Sequence, residues 1–135
     1  MNSKMVLVTL DRERWLYFNC AALAELESAF GDYDTTMEHI QHCNNRDTEA
    51  NRDRCMILAA LANQGERMRA YEDGHDVDSS NLISADVLML TMTPDFSEIA
   101  KQYAAIFEAF RLGFAVSVES EEEDEKNGEA AGEES

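Results

Sequence analysis

The chain has 135 residues with 28 acidic and 11 basic side chains, a formal net charge of −17 at pH 7. That length supports one domain with a modest core and not two. So acidic a chain repels phosphate backbones, which argues against a nucleic-acid groove binder, and no apolar run reaches membrane-spanning length.

The opening "MNSKMVLVTLDRERWLYF" has its apolar stretch broken after Leu10 by Asp11, Arg12 and Glu13, unlike a secretory signal. Within it, "KMVLVTL" at 4–10 is β-branched, apolar and too short for a helix, so it predicts a strand. "DRE" at 11–13 supplies a charged turn, and "RWLYF" at 14–18 returns as a second strand. Trp15 and Tyr17 then share one face, Leu16 and Phe18 the other. Two strands alone are marginal, so one face of this β-hairpin must pack on helices.

Asn19 is positioned as the N-cap of "CAALAELESAF", whose stripe is Ala22, Leu23, Leu26, Ala29 and Phe30. Gly31 sits where a left-handed C-terminal cap belongs. Thr35 and Glu38 form a capping box ahead of a short helix, "MEHIQHC", with Met37 and Ile40 on its apolar side. A third helix runs from about Thr48 to Asn63 with Ile57, Leu58, Leu61 and Ala62 inward. It ends at Gly65 or continues to Tyr71. "EDGHDVDSSN" at 72–81 reads as the clearest internal loop. Ser84 caps "ADVLMLTM".

Thr93 is the expected cap of the last helix, with Pro94 at its first helical position and Asp95 near the positive end of its dipole. Phe96, Ile99, Tyr103, Ile106, Phe107 and Phe110 recur three and four apart, a wide apolar face reaching Leu112, and Gly113 stops the helix. "FAVSVES" reads equally as a short strand or the start of the tail. Residues 119–135 hold nine carboxylates against Lys126 alone, a net charge of −8, while the preceding 118 residues carry −9. With no large apolar side chain from Glu119 onward, nothing offsets the entropy of ordering, and disorder is expected. The expected fold class is α+β, mostly α: residues 1–118 as a hairpin on four to five helices, then a disordered acidic tail at 119–135.

Chemistry is sparse. Cys20, Cys43 and Cys55 are odd in number and imply reduced thiols. His39, His42 and Cys43 have a spacing that can bind zinc, yet a structural site wants four ligands and only Cys55 is near on the chain. Asp76 to Asn81 begins like a calcium loop, but Asn81 replaces the turn glycine and Val87 the bidentate glutamate. Cys20 and Cys55 lie in or beside apolar stripes, where cysteine behaves as a small hydrophobe. There is no glycine-rich nucleophile turn or phosphate loop. These residues predict no catalytic, metal or cofactor site. Met37, Met56, Met68, Met89 and Met92 suit core filling better than an adaptable binding surface, though either use is open. Phe96, Tyr103, Phe107 and Phe110 are the candidate partner-binding residues. Periodicity does not separate docking from core among them.

The order of elements, with the hairpin leading into "NCAALAELESAFGD", a helical middle ending "ILAALANQG", and "ADVLMLTMTPDFSEIAKQYAAIFEAFRLGF", resembles the tail assembly chaperones of long-tailed phages. The likeness covers about residues 5–114 and is nearest the branch related to gene transfer agents. It implies a non-enzymatic role in the host cytoplasm: binding the helical tape measure protein, keeping it soluble and helping to recruit tail tube subunits. Such chaperones are generally absent from the mature virion, and homo-oligomers are possible partners. In many of these phages a longer product arises by frameshifting. Glu125-Lys126-Asn127 can be encoded with a slippery run of A, or with ordinary codons in a polar tail. The alternative reading is an acidic DNA mimic that inhibits a nucleic-acid-binding enzyme. Against it, Arg46, Arg52, Arg54, Arg67 and Arg69 interrupt the folded part. A tail tube or capsid subunit would need more strand than this chain offers.

Overall fold

The computed structural model describes residues 3–115; the tail expected at 119–135 lies outside the described residues. Among the described residues the fold is mostly helical, with an N-terminal hairpin and five α-helices. Strands β1 (Met5–Thr9) and β2 (Glu13–Tyr17) pair antiparallel with Met5 opposite Tyr17 and Thr9 opposite Glu13. Alternation sets the faces: Leu16 and Phe18 are buried, while Trp15 and Tyr17 are half-buried.

Arg14 shares the buried face and does not break it, because its guanidinium is fully engaged. It donates to both carboxylate oxygens of Asp11 at 2.9 and 2.7 Å and to the Asn81 carbonyl. Glu66 lies 3.7 Å away. The hairpin turn is thereby tied to the third helix and to a distant loop.

Helix α1 (Cys20–Phe30) has the expected bounds, and Asn19 Oδ1 accepts from Ala22 N at 2.8 Å. Gly31 follows with a positive φ of 126°, though at ψ −148° it is not the left-handed helical cap expected. Helix α2 (Tyr33–His42) starts earlier than the Thr35 capping box predicted. Asp32 caps it instead, accepting from Thr35 N at 2.8 Å, because a carboxylate three residues earlier satisfies an orphan donor of the first turn and lets the helix begin at Tyr33.

Helix α3 (Thr48–Asp73) is the axis of the fold, touching β2 and all four other helices. It passes straight through Gly65. A Cβ there would lie 1.8 Å from the Trp15 carbonyl oxygen, so glycine permits the hairpin's approach and does not end the helix. The stop is Gly74, left-handed at φ 80°, where His75 N donates to Ala70 O at 3.0 Å and Gly74 N to Tyr71 O at 3.1 Å. The loop therefore begins two residues later than expected, and contains a 3-10 turn at Ser79–Asn81.

Helix α4 (Ala85–Thr91) is capped by Ser84, whose Oγ accepts from Val87 N at 3.2 Å. Helix α5 (Phe96–Gly113) is capped by Asp95, not Thr93: its Oδ1 accepts from Glu98 N at 3.0 Å. A carboxylate adds dipole compensation that a hydroxyl lacks, and Pro94 falls before the helix rather than at its first position. Gly113 is the last helical residue, followed by a turn at Phe114 and Ala115; the rest of "FAVSVES" lies outside the described residues.

Leu16, Leu26, Ile57, Leu58, Leu61, Leu88 and Ile106 are fully buried in one core. Each such side chain stabilises by about 1.5–3 kcal/mol relative to exposure. Arg54, 2% exposed, crosses this core's edge. It donates to Cys43 O at 2.8 Å, to Gln102 Oε1 at 3.2 Å and to Asn51, joining α3 to α5 and to the α2–α3 loop. Burial lowers its pKa from the ordinary arginine value.

Candidate partner-binding surface

Helix α5 turns Ile99, Gln102, Ala105, Ile106, Ala109 and Phe110 inward. Its apolar arc is wider than the core covers. Phe96 and Phe107 lie eleven residues apart, close to three full turns, so they share a face about 16 Å apart along the axis. They are 61% and 60% exposed. Tyr103 stands between them, half-buried against the core's margin. Phe110 is a core residue, 7% exposed, with its ring centroid 4.2 Å from that of Phe18. The four aromatic positions thus separate into one core residue, one at the margin and two in water. Over the Phe96 ring lies the Arg46 guanidinium, 3.9 Å from the centroid, a cation–π contact from the α2–α3 loop.

Sequence reasoning missed α4 as a surface. Leu88 is fully buried against α3, but Leu90 is 83% exposed, and Val87 and Met89 are exposed too. The signal was present: "VLML" places apolar side chains on every side of a helix, and such a helix is stable only when covered all round. Here it is covered on one side. Met89, Met92 and Pro94 border a shallow groove of about 120 Å³ whose floor is Asn51, Arg54, Cys55 and Leu88.

The residues with zinc-like spacing are occupied separately. His39 Nδ1 is 2.7 Å from Asp53 Oδ2, and its ring stacks on Phe30 at 4.4 Å. His42 Nε2 lies 3.3 Å from both Asp47 and Glu49. Cys43 is fully buried, and burial pushes its thiol up to about 12, which keeps it protonated and unreactive near neutral pH. Burial also raises the Cys55 thiol. Among the described residues no group of three or more His, Cys, Asp and Glu is placed to hold a metal ion. No described helix is long and apolar enough to cross a membrane.

Comparison with protein-family models, with curated proteins and with solved structures finds no match.

Proposed function

We propose that this chain is a tail assembly chaperone of a long-tailed phage. It binds the helical tape measure protein, keeps it soluble in the host cytoplasm, helps recruit tail tube subunits around it, and leaves before the particle is finished. The family reading is supported by the resemblance in element order over residues 5–114. The single structural observation that carries a binding role is the pair Phe96 and Phe107, more than half exposed on one face of α5. Aromatic side chains at helical spacing in water suit recognition of an apolar helix face. Their exposure is otherwise a solubility liability. The charge of −17 offsets that liability by keeping the chaperone and its complex dispersed.

An acidic terminal segment serves the same role and gives a place to attach a frameshifted continuation near Glu125-Lys126-Asn127 without disturbing packing. The DNA-mimic reading is weaker, because exposed Arg52 and Arg67 break the acidic surface. The test is coexpression with the product of a neighbouring long, coiled-coil-rich reading frame. The chaperone reading expects that product to become soluble and to co-purify with this chain. No gain in solubility together with no co-purification contradicts it.

A further inference from the structure

We propose that α5 pairs antiparallel with α5 of a second copy of this chain, covering Phe96 and Phe107, and that a client helix displaces that copy. The pairing stands on the geometry of α5. Only the displacement rests on the chaperone reading, which it deepens by naming what covers the binding face before the client arrives.

Self-complementarity selects the occupant. Phe96, Ala100, Ala104 and Phe107 are all exposed, and at the helical pitch they fall within one arc of about 80°. Their order reads the same in either direction: large, small, small, large, centred between Lys101 and Gln102. Turned antiparallel about that centre, Phe96 of each copy meets Phe107 of the other. Ala100 meets Ala104 between them, where small side chains let the two axes approach closely. Phenyl rings then face each other at both ends in place of water. An unrelated partner does not require this palindrome; a two-fold interface does, because the same patch serves both sides.

Charge permits the approach. Helix α5 holds Glu98, Lys101, Glu108 and Arg111, a net charge of zero in a chain of −17. Lys101 is paired with Glu98 at 3.5 Å, and Arg111 with Glu108 at 2.8 Å. The two-fold brings Glu108 and Arg111 of the second copy to the end that holds Asp95 and, on the Phe96 ring, Arg46, so opposite charges alternate there. The two Lys101 side chains lie near each other at the rim, and Glu98 offsets their repulsion. Direction follows from the remaining charge. Residues 119–135, with nine carboxylates and one lysine, follow the end of α5 in sequence. An antiparallel pair sets the two Gly113 positions about 35 Å apart along the axes, over four Debye lengths of ~8 Å, whereas a parallel pair sets them side by side. A single helix about 27 Å long and ~10 Å across covers less than the ~800 Å² per partner of stable complexes, so the dimer is weak and exchangeable.

The test is sedimentation equilibrium of the full chain under reductant, because Cys20 is an exposed thiol. The chain should dimerise reversibly as its concentration rises, and more tightly in salt, which screens the repulsion between two chains of −17. Phe107→Ser should weaken dimerisation about tenfold. Tyr71→Ser, at a position 77% exposed elsewhere, should leave it unchanged. Phe96→Asp/Phe107→Asp should be monomeric, while Phe96→Asp/Phe107→Lys should recover the dimer, because only the antiparallel register sets aspartate against lysine at both ends. A chain monomeric up to about 1 mM, a dimer indifferent to Phe107→Ser, or one that both charged variants lose equally overturns the inference. If the chain is monomeric yet solubilises the tape measure protein, the inference fails while the chaperone reading stands. If the dimer forms with these signatures but coexpression rescues nothing, the pairing stands while the chaperone reading, and the displacement with it, fails.

Discussion

Helices α3 and α4 are both rich in apolar residues, and the fold treats them oppositely. In its middle, α3 is surrounded: Ile57, Leu58, Ala59, Ala60, Leu61 and Ala62 are consecutive and all buried. Helix α4 is apolar all round as well, but only Leu88 is fully enclosed while Leu90 stands 83% exposed. The difference lies in size and position. Alanines on α3 let several elements approach from different sides, whereas α4 carries larger side chains and packs chiefly on α3. The same contrast divides α5 lengthwise into Phe110 in the core and Phe107 in water. Apolar surface that the fold leaves uncovered is the clearest trace of function here.

Mutations that treat the two regions alike would break this comparison. Leu61→Ala should destabilise by about 2–5 kcal/mol, the range for a buried leucine leaving a cavity, read by urea unfolding. A loss below about 0.5 kcal/mol would mean that α3 is not the enclosed axis.

Arg54→Met comes next. It keeps much of the volume but leaves Cys43 O and Gln102 short of donors, and should cost about 1–3 kcal/mol. Unchanged unfolding would show that water replaces the guanidinium and that the α3–α5 link is not structural.

A smaller, pH-dependent effect is expected at the hairpin. The Arg14 guanidinium, through hydrogen bonds and charge, holds the Asp11 carboxyl below its ordinary range. A carboxyl that titrates lower when folded stabilises fully above its unfolded pKa of about 3.9 and loses that contribution as pH falls through the lower folded value. Asp11→Asn should therefore be less stable than wild type near pH 7, and the gap should narrow in thermal unfolding below about pH 4. A gap that stays constant into acid would remove the ion pair as its cause.

How much of this was legible beforehand follows the range of the forces involved. The hairpin, α1 and α4 are set by local alternation and capping, and the sequence shows them nearly to the residue. The caps of α2 and α5 were misassigned because Asp32 and Asp95 compete with nearby hydroxyl residues, and composition does not rank two good caps. The end of α3 was blurred because Gly65 reads as a stop unless the Trp15 backbone is known to lie against it. The partner surface was half legible: spacing found the α5 aromatics, but only packing distinguishes Phe110 from Phe107. On α4 the apolar pattern leaves Met89 open between core and surface, because a pattern does not tell how many sides are covered.

The smallest expected effect on stability is at the surface itself. Leu90→Ser and Phe107→Ser should each change unfolding by no more than about 0.5 kcal/mol, since little buried contact is lost. A loss of several kcal/mol at either position would place these side chains in an interior, in conflict with their exposure.

The most direct measurement is soluble yield of the coexpressed tape measure protein with the Phe96→Ser/Phe107→Ser chain, checked in parallel by thermal unfolding of that chain alone. The account predicts an unfolding temperature close to wild type together with loss of most of the solubilised, co-purifying client. A stable double variant that solubilises the client as well as wild type would contradict it.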